Sequence, residues 1–214
     1  MKPFIRILLG ALAVICVGVN AADDSSGAVT PATSNSTTAT AIFAGGCFWC
    51  VEADFEKLPG VISAESGYIG GDEPNPSYLD VSNGSTGHAE AVRVHYDPAQ
   101  MNYAKLLDYF WRHIDPTVRD RQFCDVGDQY RSAIFYADDE QHRLAESSKQ
   151  RWLDEGRFKR VYTQIKPARS FYRAEEYHQD YYKKNPVRYN YYRYACGRDA
   201  RVKEIWGSKS DHPG

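Results

Sequence analysis

This sequence has no excess of basic residues, since 26 Lys and Arg face 28 Asp and Glu and the formal net charge is -2. That balance gives no electrostatic reason to expect a nucleic-acid partner, and none is predicted. The sequence shows no internal repeat, and its apolar run Ile7–Val19 is shorter than the roughly 20 residues of a membrane-spanning helix. What it contains is 43% hydrophobic and 25% charged residues, which excludes wholesale disorder and suits one packed domain.

The first 21 residues have the three-part pattern of a secretory signal peptide. Lys2 and Arg6 precede the apolar run Ile7–Val19. The segment then ends in Val19-Asn20-Ala21, with small or apolar residues at the positions that a signal peptidase recognises. We therefore predict a signal peptide over residues 1–21 and a periplasmic or secreted protein. Membrane contact is expected only through this segment, and an uncleaved anchor is the less favoured alternative.

After the signal segment, residues 22–39 are rich in Ser, Thr, Ala and Gly, which indicates a flexible spacer. The folded domain is predicted over residues 40–207, with a tail over 208–214. Strand and helix patterns interleave in it, which favours one layered α/β or α+β domain. The predicted strands are Thr40–Ala44, Val61–Tyr68, Ala89–Tyr96, Ser132–Tyr136 and Val161–Ile165, and the predicted helices are Phe48–Lys57, Ser77–Ser82, Tyr103–Ile114, Asp138–Glu155, Ala174–Lys184 and Arg198–Ile205.

The most informative segment is Gly46-Cys47-Phe48-Trp49-Cys50, where a predicted strand ends and a helix begins. A cysteine there meets free backbone N–H groups and the positive end of the helix dipole. Both favour the thiolate, so we expect the pKa of Cys47 to fall below its ordinary value.

Three kinds of chemistry fit the Cys47/Cys50 pair. A thioredoxin-like disulfide oxidoreductase would use Cys47 to attack and Cys50 to resolve. A structural zinc site would add Cys124 and Cys196, although these lack the second C-x-x-C that such sites usually have. A peroxidatic or reductase cysteine would be oxidised to sulfenic acid and resolved by another thiol. The spacing of Cys47 and Cys50 does not distinguish the disulfide oxidoreductase from the peroxidatic or reductase cysteine.

Several longer motifs resemble those of one family, the A-type peptide methionine sulfoxide reductases (MsrA). The matching segments occur in the same order over about residues 40–197. They are Gly46-Cys47-Phe48-Trp49, Gly67-Tyr68-Ile69-Gly70-Gly71, Asn75-Pro76-Ser77-Tyr78, Thr86-Gly87-His88-Ala89-Glu90-Ala91-Val92 and Asp125-Val126-Gly127-Asp128-Gln129-Tyr130-Arg131-Ser132-Ala133-Ile134. The resemblance implies an α+β fold, a two-layer α/β sandwich around a mixed sheet (ferredoxin-like).

The resemblance also implies a role for each candidate site residue. Cys47 would be the nucleophile, and Glu90 the acid that protonates the sulfoxide oxygen, because its strand phase matches apolar Val92 and a buried carboxyl holds its proton. Neutral phenols would donate further hydrogen bonds, and aromatic rings would enclose the S-methyl group. These additional residues are Tyr78 and Tyr130 as donors, Phe48 and Trp49 as the methyl box, and Asp125 as a support for a tyrosine, a water or the substrate backbone.

The activity implied is reduction of methionine S-sulfoxide, free or in proteins, without a metal or organic cofactor. Cys47 would become a sulfenic acid, condense with a second cysteine and be regenerated by a thioredoxin-like reductant. The resolving residue stays open: Cys196, in a C-terminal segment that could swing, is favoured over Cys50, and Cys124 is a third candidate. The alternative function is the thioredoxin-like oxidoreductase that uses Cys47 and Cys50.

Overall fold

The structure, a computed structural model, describes residues 38–207. The predicted signal peptide, all but the last two residues of the predicted spacer, and the tail over 208–214 lie outside these residues. The strands are β1 (Ala39–Gly45), β2 (Val61–Ile69), β3 (Ala89–Tyr96), β4 (Arg121–Gln122), β5 (Asp125–Val126), β6 (Ser132–Tyr136), β7 (Gln164–Pro167) and β8 (Tyr172–Arg173). The helices are α1 (Phe48–Phe55), α2 (Tyr78–Ser82), α3 (Tyr103–Arg112), α4 (Asp139–Asp154), α5 (Tyr181–Lys184), α6 (Pro186–Ala195) and α7 (Arg198–Trp206).

Six strands form one mixed sheet in the order β7-β6-β1-β3-β2-β8. The β6–β7 pair is parallel and the other pairs are antiparallel. Strands β4 and β5 form a separate short hairpin. The predicted α+β class and the mixed sheet are confirmed. No helix within residues 38–207 has the length and apolar character needed to cross a bilayer.

The main core lies between one face of this sheet and helices α1, α3 and α4. Side chains alternate along the strands, so Val92 and Val94 of β3 face this core while Ala89 and Ala91 join a smaller cluster on the opposite face. Glu90 has the same phase as Val92, and this places its carboxyl on the helix side of the sheet, next to α1.

One helix prediction in the C-terminal part is wrong in its extent. The helix predicted over Ala174–Lys184 is only the short α5, because Asp180 takes a left-handed conformation (φ 52°) directly before it. The helix stop predicted at Asn185-Pro186 is confirmed, since α5 ends at Lys184 with Asn185 as its C-cap. A new helix, α6, begins at once at Pro186, because proline at the first helical position needs no N–H partner. The segment that was expected to swing is packed as well, with Cys196 at the junction of two helices and Trp206 of α7 buried.

Candidate active site

A small pocket opens where β1 passes into α1. Cys47 is the residue before the first turn of α1, and Gly46 takes a left-handed conformation (φ 85°) to turn the chain there. A Cβ at Gly46 would lie 2.6 Å from Cβ of Gln122, so only glycine fits this approach. The pocket has a volume of about 80 Å³, and its lining residues are Cys47, Phe48, Trp49, Tyr78, Glu90, Asp125, Tyr130 and Tyr192.

These lining residues come from six separate parts of the chain: the start of α1, the start of α2, strand β3, the β4–β5 hairpin, the turn before β6, and helix α6. Seven of the nine site residues predicted from the sequence therefore meet at one pocket. The other two, Cys50 and Cys196, do not line it. Tyr192, which no sequence motif marks as a site residue, lines it as well.

Glu90 is a buried carboxyl at the base of this pocket, with 2% of its surface exposed. Its Oε2 accepts a hydrogen bond of 3.0 Å from the backbone N–H of Phe48. Burial raises the pKa of Glu90 to about 8, and the negative charge of Asp125 adds to the rise, while the bond from Phe48 opposes it. At neutral pH the group therefore holds a proton that it can donate.

Two phenols share the pocket with this carboxyl. Burial and the charge of Glu90 raise the pKa of Tyr78 to about 12. The same two causes raise the pKa of Tyr130 by more than that of Tyr78. Both hydroxyls are therefore neutral donors at pH 7. The start of α2, which carries Tyr78, is held by a 2.8 Å bond from its backbone N–H to Oε1 of Glu175.

Asp125 faces the pocket from the β4–β5 hairpin. The hydroxyl of Tyr192 donates to its Oδ2 at 2.6 Å, which ties the hairpin to helix α6. Burial raises the pKa of Asp125, and the bond from Tyr192 opposes that rise. Of the alternatives considered for Asp125, holding a tyrosine matches this geometry.

Phe48 and Trp49 form the aromatic side of the pocket. The indole N–H of Trp49 donates to Nδ1 of His178 at 3.0 Å, and its ring stacks on Tyr181 at 3.7 Å between centroids. His178 also packs against the Phe48 ring at 4.9 Å, and burial lowers the pKa of this histidine, so it is neutral. No motif or spacing in the sequence singles out His178.

The four cysteines of the described segment form two pairs. Cys124 and Cys196 are joined by a disulfide, whereas Cys47 and Cys50 are buried free thiols. Cys124 is exposed at the surface. A zinc centre of four thiolates does not fit this arrangement, because two of the sulfurs are bonded to each other.

The Cys47 thiol has a raised pKa, the opposite of the expected shift. Burial is the main cause, followed by its hydrogen bond to Cys50 and by the charge of Glu90. The Cys47 side chain makes no capping hydrogen bond to the backbone of α1. The pKa of Cys50 is lowered, first by the hydrogen bond from Cys47 and then by the positive charges of Arg198 and Arg193. The two thiols interact closely, so they lose their protons as a pair, with the pKa of Cys47 raised and that of Cys50 lowered.

Comparison with known proteins gives one consistent result. Residues 39–210 match the family model described as peptide methionine sulfoxide reductase. Peptide methionine sulfoxide reductase MsrA 2 of Caulobacter vibrioides is 47% identical over 207 residues, which cover 97% of this chain and 100% of that protein. The MsrA of Bacillus subtilis is 49% identical over 170 residues, covering 79% of this chain and 96% of that protein.

Solved structures agree with these relatives. Mxr1 from Saccharomyces cerevisiae in its reduced form superposes with a TM-score of 0.66 at 35% identity, covering 71% of this chain and 88% of that chain. Methionine sulfoxide reductase A of Corynebacterium diphtheriae gives 0.63 at 36% identity, covering 70% and 76%. A thioredoxin-like oxidoreductase is not favoured by any of these matches.

Proposed function

This chain belongs to the peptide methionine sulfoxide reductase family and reduces methionine S-sulfoxide with thiols, and we propose that the reaction takes place in the pocket of Cys47. The observation that carries this proposal is the meeting of a thiol, a protonated carboxyl and two neutral phenols around one small pocket. A sulfoxide sulfur is attacked by a thiol only when its oxygen is protonated or strongly hydrogen-bonded, and this pocket supplies both partners.

In the first step Cys47 attacks the sulfoxide sulfur. Its thiol proton passes along the hydrogen bond to Cys50, and Glu90 protonates the sulfoxide oxygen, with Tyr78 and Tyr130 donating to the same oxygen. The substrate sulfur gains two electrons and leaves as methionine. Cys47 is oxidised and retains the oxygen as sulfenic acid.

The pocket holds the substrate at two places, which are its S-methyl group and the part of the substrate beyond the sulfur. The rings of Phe48 and Trp49 offer apolar surface for the S-methyl group, and a volume of about 80 Å³ admits only the end of a methionine side chain. Asp125, fixed by Tyr192, also lines the pocket and supports the backbone or the side chain of the substrate. Trp49 keeps its orientation through His178.

For the second step we propose Cys50 as the resolving residue, with Cys196 acting after it. Cys50 already hydrogen-bonds the attacking sulfur, so its attack on the Cys47 sulfenic acid forms a disulfide and releases water. Thiol–disulfide exchange then moves the oxidation to Cys196 and Cys124, the bonded pair in this structure. Because Cys124 is exposed, a thioredoxin-like dithiol can reduce this outer pair.

A reductant-free assay tests both steps. Fully reduced protein is mixed with a peptide carrying either sulfoxide epimer, and methionine formed per chain is counted. The wild type is expected to form two methionines per chain from the S epimer, because the four thiols within residues 38–207 give two disulfides. Cys47→Ser should form none. Cys196→Ser should form one methionine per chain, and peptide mapping should then show a Cys47–Cys50 disulfide.

The outcomes separate the alternatives. A wild type that reduces neither epimer contradicts the proposed function. If Cys196→Ser forms one methionine but leaves Cys50 free and Cys47 as sulfenic acid, Cys196 is the first resolving residue instead of Cys50.

We also propose that the protein is exported and works in the periplasm or outside the cell. The support is the sequence pattern of residues 1–21, with two cations, an apolar run and small residues ending at Ala21. N-terminal sequencing of the protein from the native host tests this: a mature chain that begins after Ala21 supports export, and a chain that keeps residues 1–21 in the cytoplasmic fraction contradicts it.

A further inference from the structure

A buried guanidinium, that of Arg198, contacts several of the segments that carry redox cysteines. Its Nη1 donates to the carbonyl of Gly45 at 3.1 Å, two residues before Cys47. Its guanidinium carbon lies 4.6 Å from the centroid of the Phe123 ring, in the β4–β5 hairpin beside the disulfide. Arg198 itself begins α7, two residues after Cys196. One side chain therefore links the nucleophile segment, the hairpin and the C-terminal helices.

The same guanidinium belongs to a buried charge cluster next to Cys50. Its Nε lies 3.6 Å from Oδ2 of Asp54, and Nη1 of Arg193 lies 2.9 Å from Oδ1 of the same carboxylate. Among the described residues, neither Asp54 Oδ2 nor Arg198 Nε has a hydrogen-bond partner. Buried charges of this kind cost free energy that their mutual attraction does not always recover, so their presence is weak evidence for a purely stabilising role.

We propose that Arg198 is a positioning residue for thiol–disulfide exchange between the Cys47–Cys50 pair and the Cys124–Cys196 pair. This inference rests on the function proposed above. The Cys196 thiolate attacks Sγ of Cys47, the Cys47–Cys50 bond breaks, and Cys50 leaves as a thiolate. The Cys124 thiolate then attacks Sγ of Cys196, and Cys47 leaves and takes up a proton. Cys124 and Cys196 lose two electrons and two protons. Cys47 and Cys50 gain the two electrons, Cys47 takes up one proton, and the other proton passes to solvent because Cys50 remains a thiolate.

Arg198 serves this transfer through both its shape and its charge. Its two carbonyl bonds, to Gly45 and to His113 at 2.9 Å, fix the guanidinium plane while that plane stacks on Phe123. A lysine ammonium keeps the charge but cannot make both bonds and the stacking contact together. The positive charge also favours the Cys50 thiolate, and a better stabilised thiolate leaves faster in exchange.

The test compares Arg198→Lys with Arg201→Lys in the reductant-free assay, using the full chain and the S-sulfoxide peptide. Arg201 lies on the same helix α7, but its side chain is partly exposed and pairs with Asp115 and Glu204. We expect Arg198→Lys to form the first methionine at the wild-type rate and the second at least tenfold more slowly. Arg201→Lys should form both at wild-type rates.

Each result decides the matter. A second methionine formed by Arg198→Lys within twofold of the wild-type rate overturns the proposal, and so does an equal slowing of both methionines, because that is the result of general structural damage. If Arg198→Lys does not fold, as judged by thermal melting, Phe123→Leu replaces it, and the same selective delay of the second methionine is expected. A wild type that forms no methionine at all refutes the proposed function and is distinct from every one of these results.

Discussion

Replacing Glu90 by glutamine should stabilise the fold at neutral pH while removing most of the activity. The carboxyl has an ordinary pKa of 4.5 and a pKa of about 8 in the folded chain. In that interval the unfolded chain has released this proton and the folded chain still holds it. Wild-type stability therefore falls as pH rises from about 4.5 to about 8, and the fall stops above that.

The size of the effect follows from the same values. Each pH unit within the interval costs about 1.4 kcal/mol, so the full cost approaches about 5 kcal/mol as an upper bound. Glutamine has no proton to lose and can still accept the N–H of Phe48 through its carbonyl oxygen. Glu90→Gln should thus be more stable than the wild type by an amount that grows with pH and then levels off.

Urea unfolding of the reduced proteins at several pH values between 5 and 9 measures this difference. The first-methionine rate, measured in parallel, should fall by about 10² to 10⁴, because glutamine can donate a hydrogen bond but not a proton. Glu52→Gln is the matched control. Burial raises the pKa of Glu52 to about 7, and this carboxyl is bonded to Ser66 and Asp180 rather than lining the pocket.

The control should therefore show a similar gain in stability, complete by about pH 7, with unchanged activity. A stability difference between wild type and Glu90→Gln that stays constant from pH 5 to 8 would mean that Glu90 is ionised in the folded chain. That result refutes its role as the acid.

Three further changes test other parts of the pocket. Tyr130→Phe removes one donor to the sulfoxide oxygen and should slow the first methionine about 100-fold in stopped-flow quench, with little change in KM; a wild-type rate would exclude the phenol from the reaction. Trp49→Phe loses the hydrogen bond to His178 and part of the apolar wall of the pocket. Steady-state kinetics should therefore show a KM raised about tenfold, equivalent to about 1.4 kcal/mol. An unchanged KM would mean that the S-methyl group binds elsewhere. Cys50→Ala removes the thiol whose hydrogen bond and charge raise the pKa of Cys47. Iodoacetamide alkylation of Cys47, followed by mass spectrometry, should therefore reach its half-maximal rate at lower pH than in the wild type, and a shift to higher pH would contradict the direction assigned to Cys47.

Much of the pocket could be predicted because its residues lie in motifs that resemble those of one family, and at two positions the local pattern agrees with that resemblance. Alternation along β3 placed Glu90 in phase with Val92 and therefore toward the core, where the structure has it. The paired glycines before Cys47 indicated a tight turn at the end of a strand, and Gly46 makes that turn. These signals are local, and a single sequence carries them directly.

The misses share a physical cause, which is dependence on contacts made far along the chain. The left-handed residue Asp180 stands before α5 and prevents the helix from starting at Ala174 as predicted, and its backbone N–H donates to Glu52, 128 residues away. His178 and Tyr192 gain their importance only from partners on α1 and in the β4–β5 hairpin. The direction of the pKa shift at Cys47 also required knowledge of its burial and of Cys50, because the helix N-terminus alone suggested the opposite.

The central position of β1 has a consequence for biosynthesis. β1 is the first strand of the sheet to leave the ribosome, yet it lies between β3 and β6, which are made much later. Until β6 emerges, the nascent chain carries an apolar strand, with Ile42 and Phe43, whose second edge has no neighbour for its N–H and C=O groups. Such an edge invites intermolecular pairing. The yield of native protein should therefore depend on whether this segment is kept from other chains until β6 is available to pair with it.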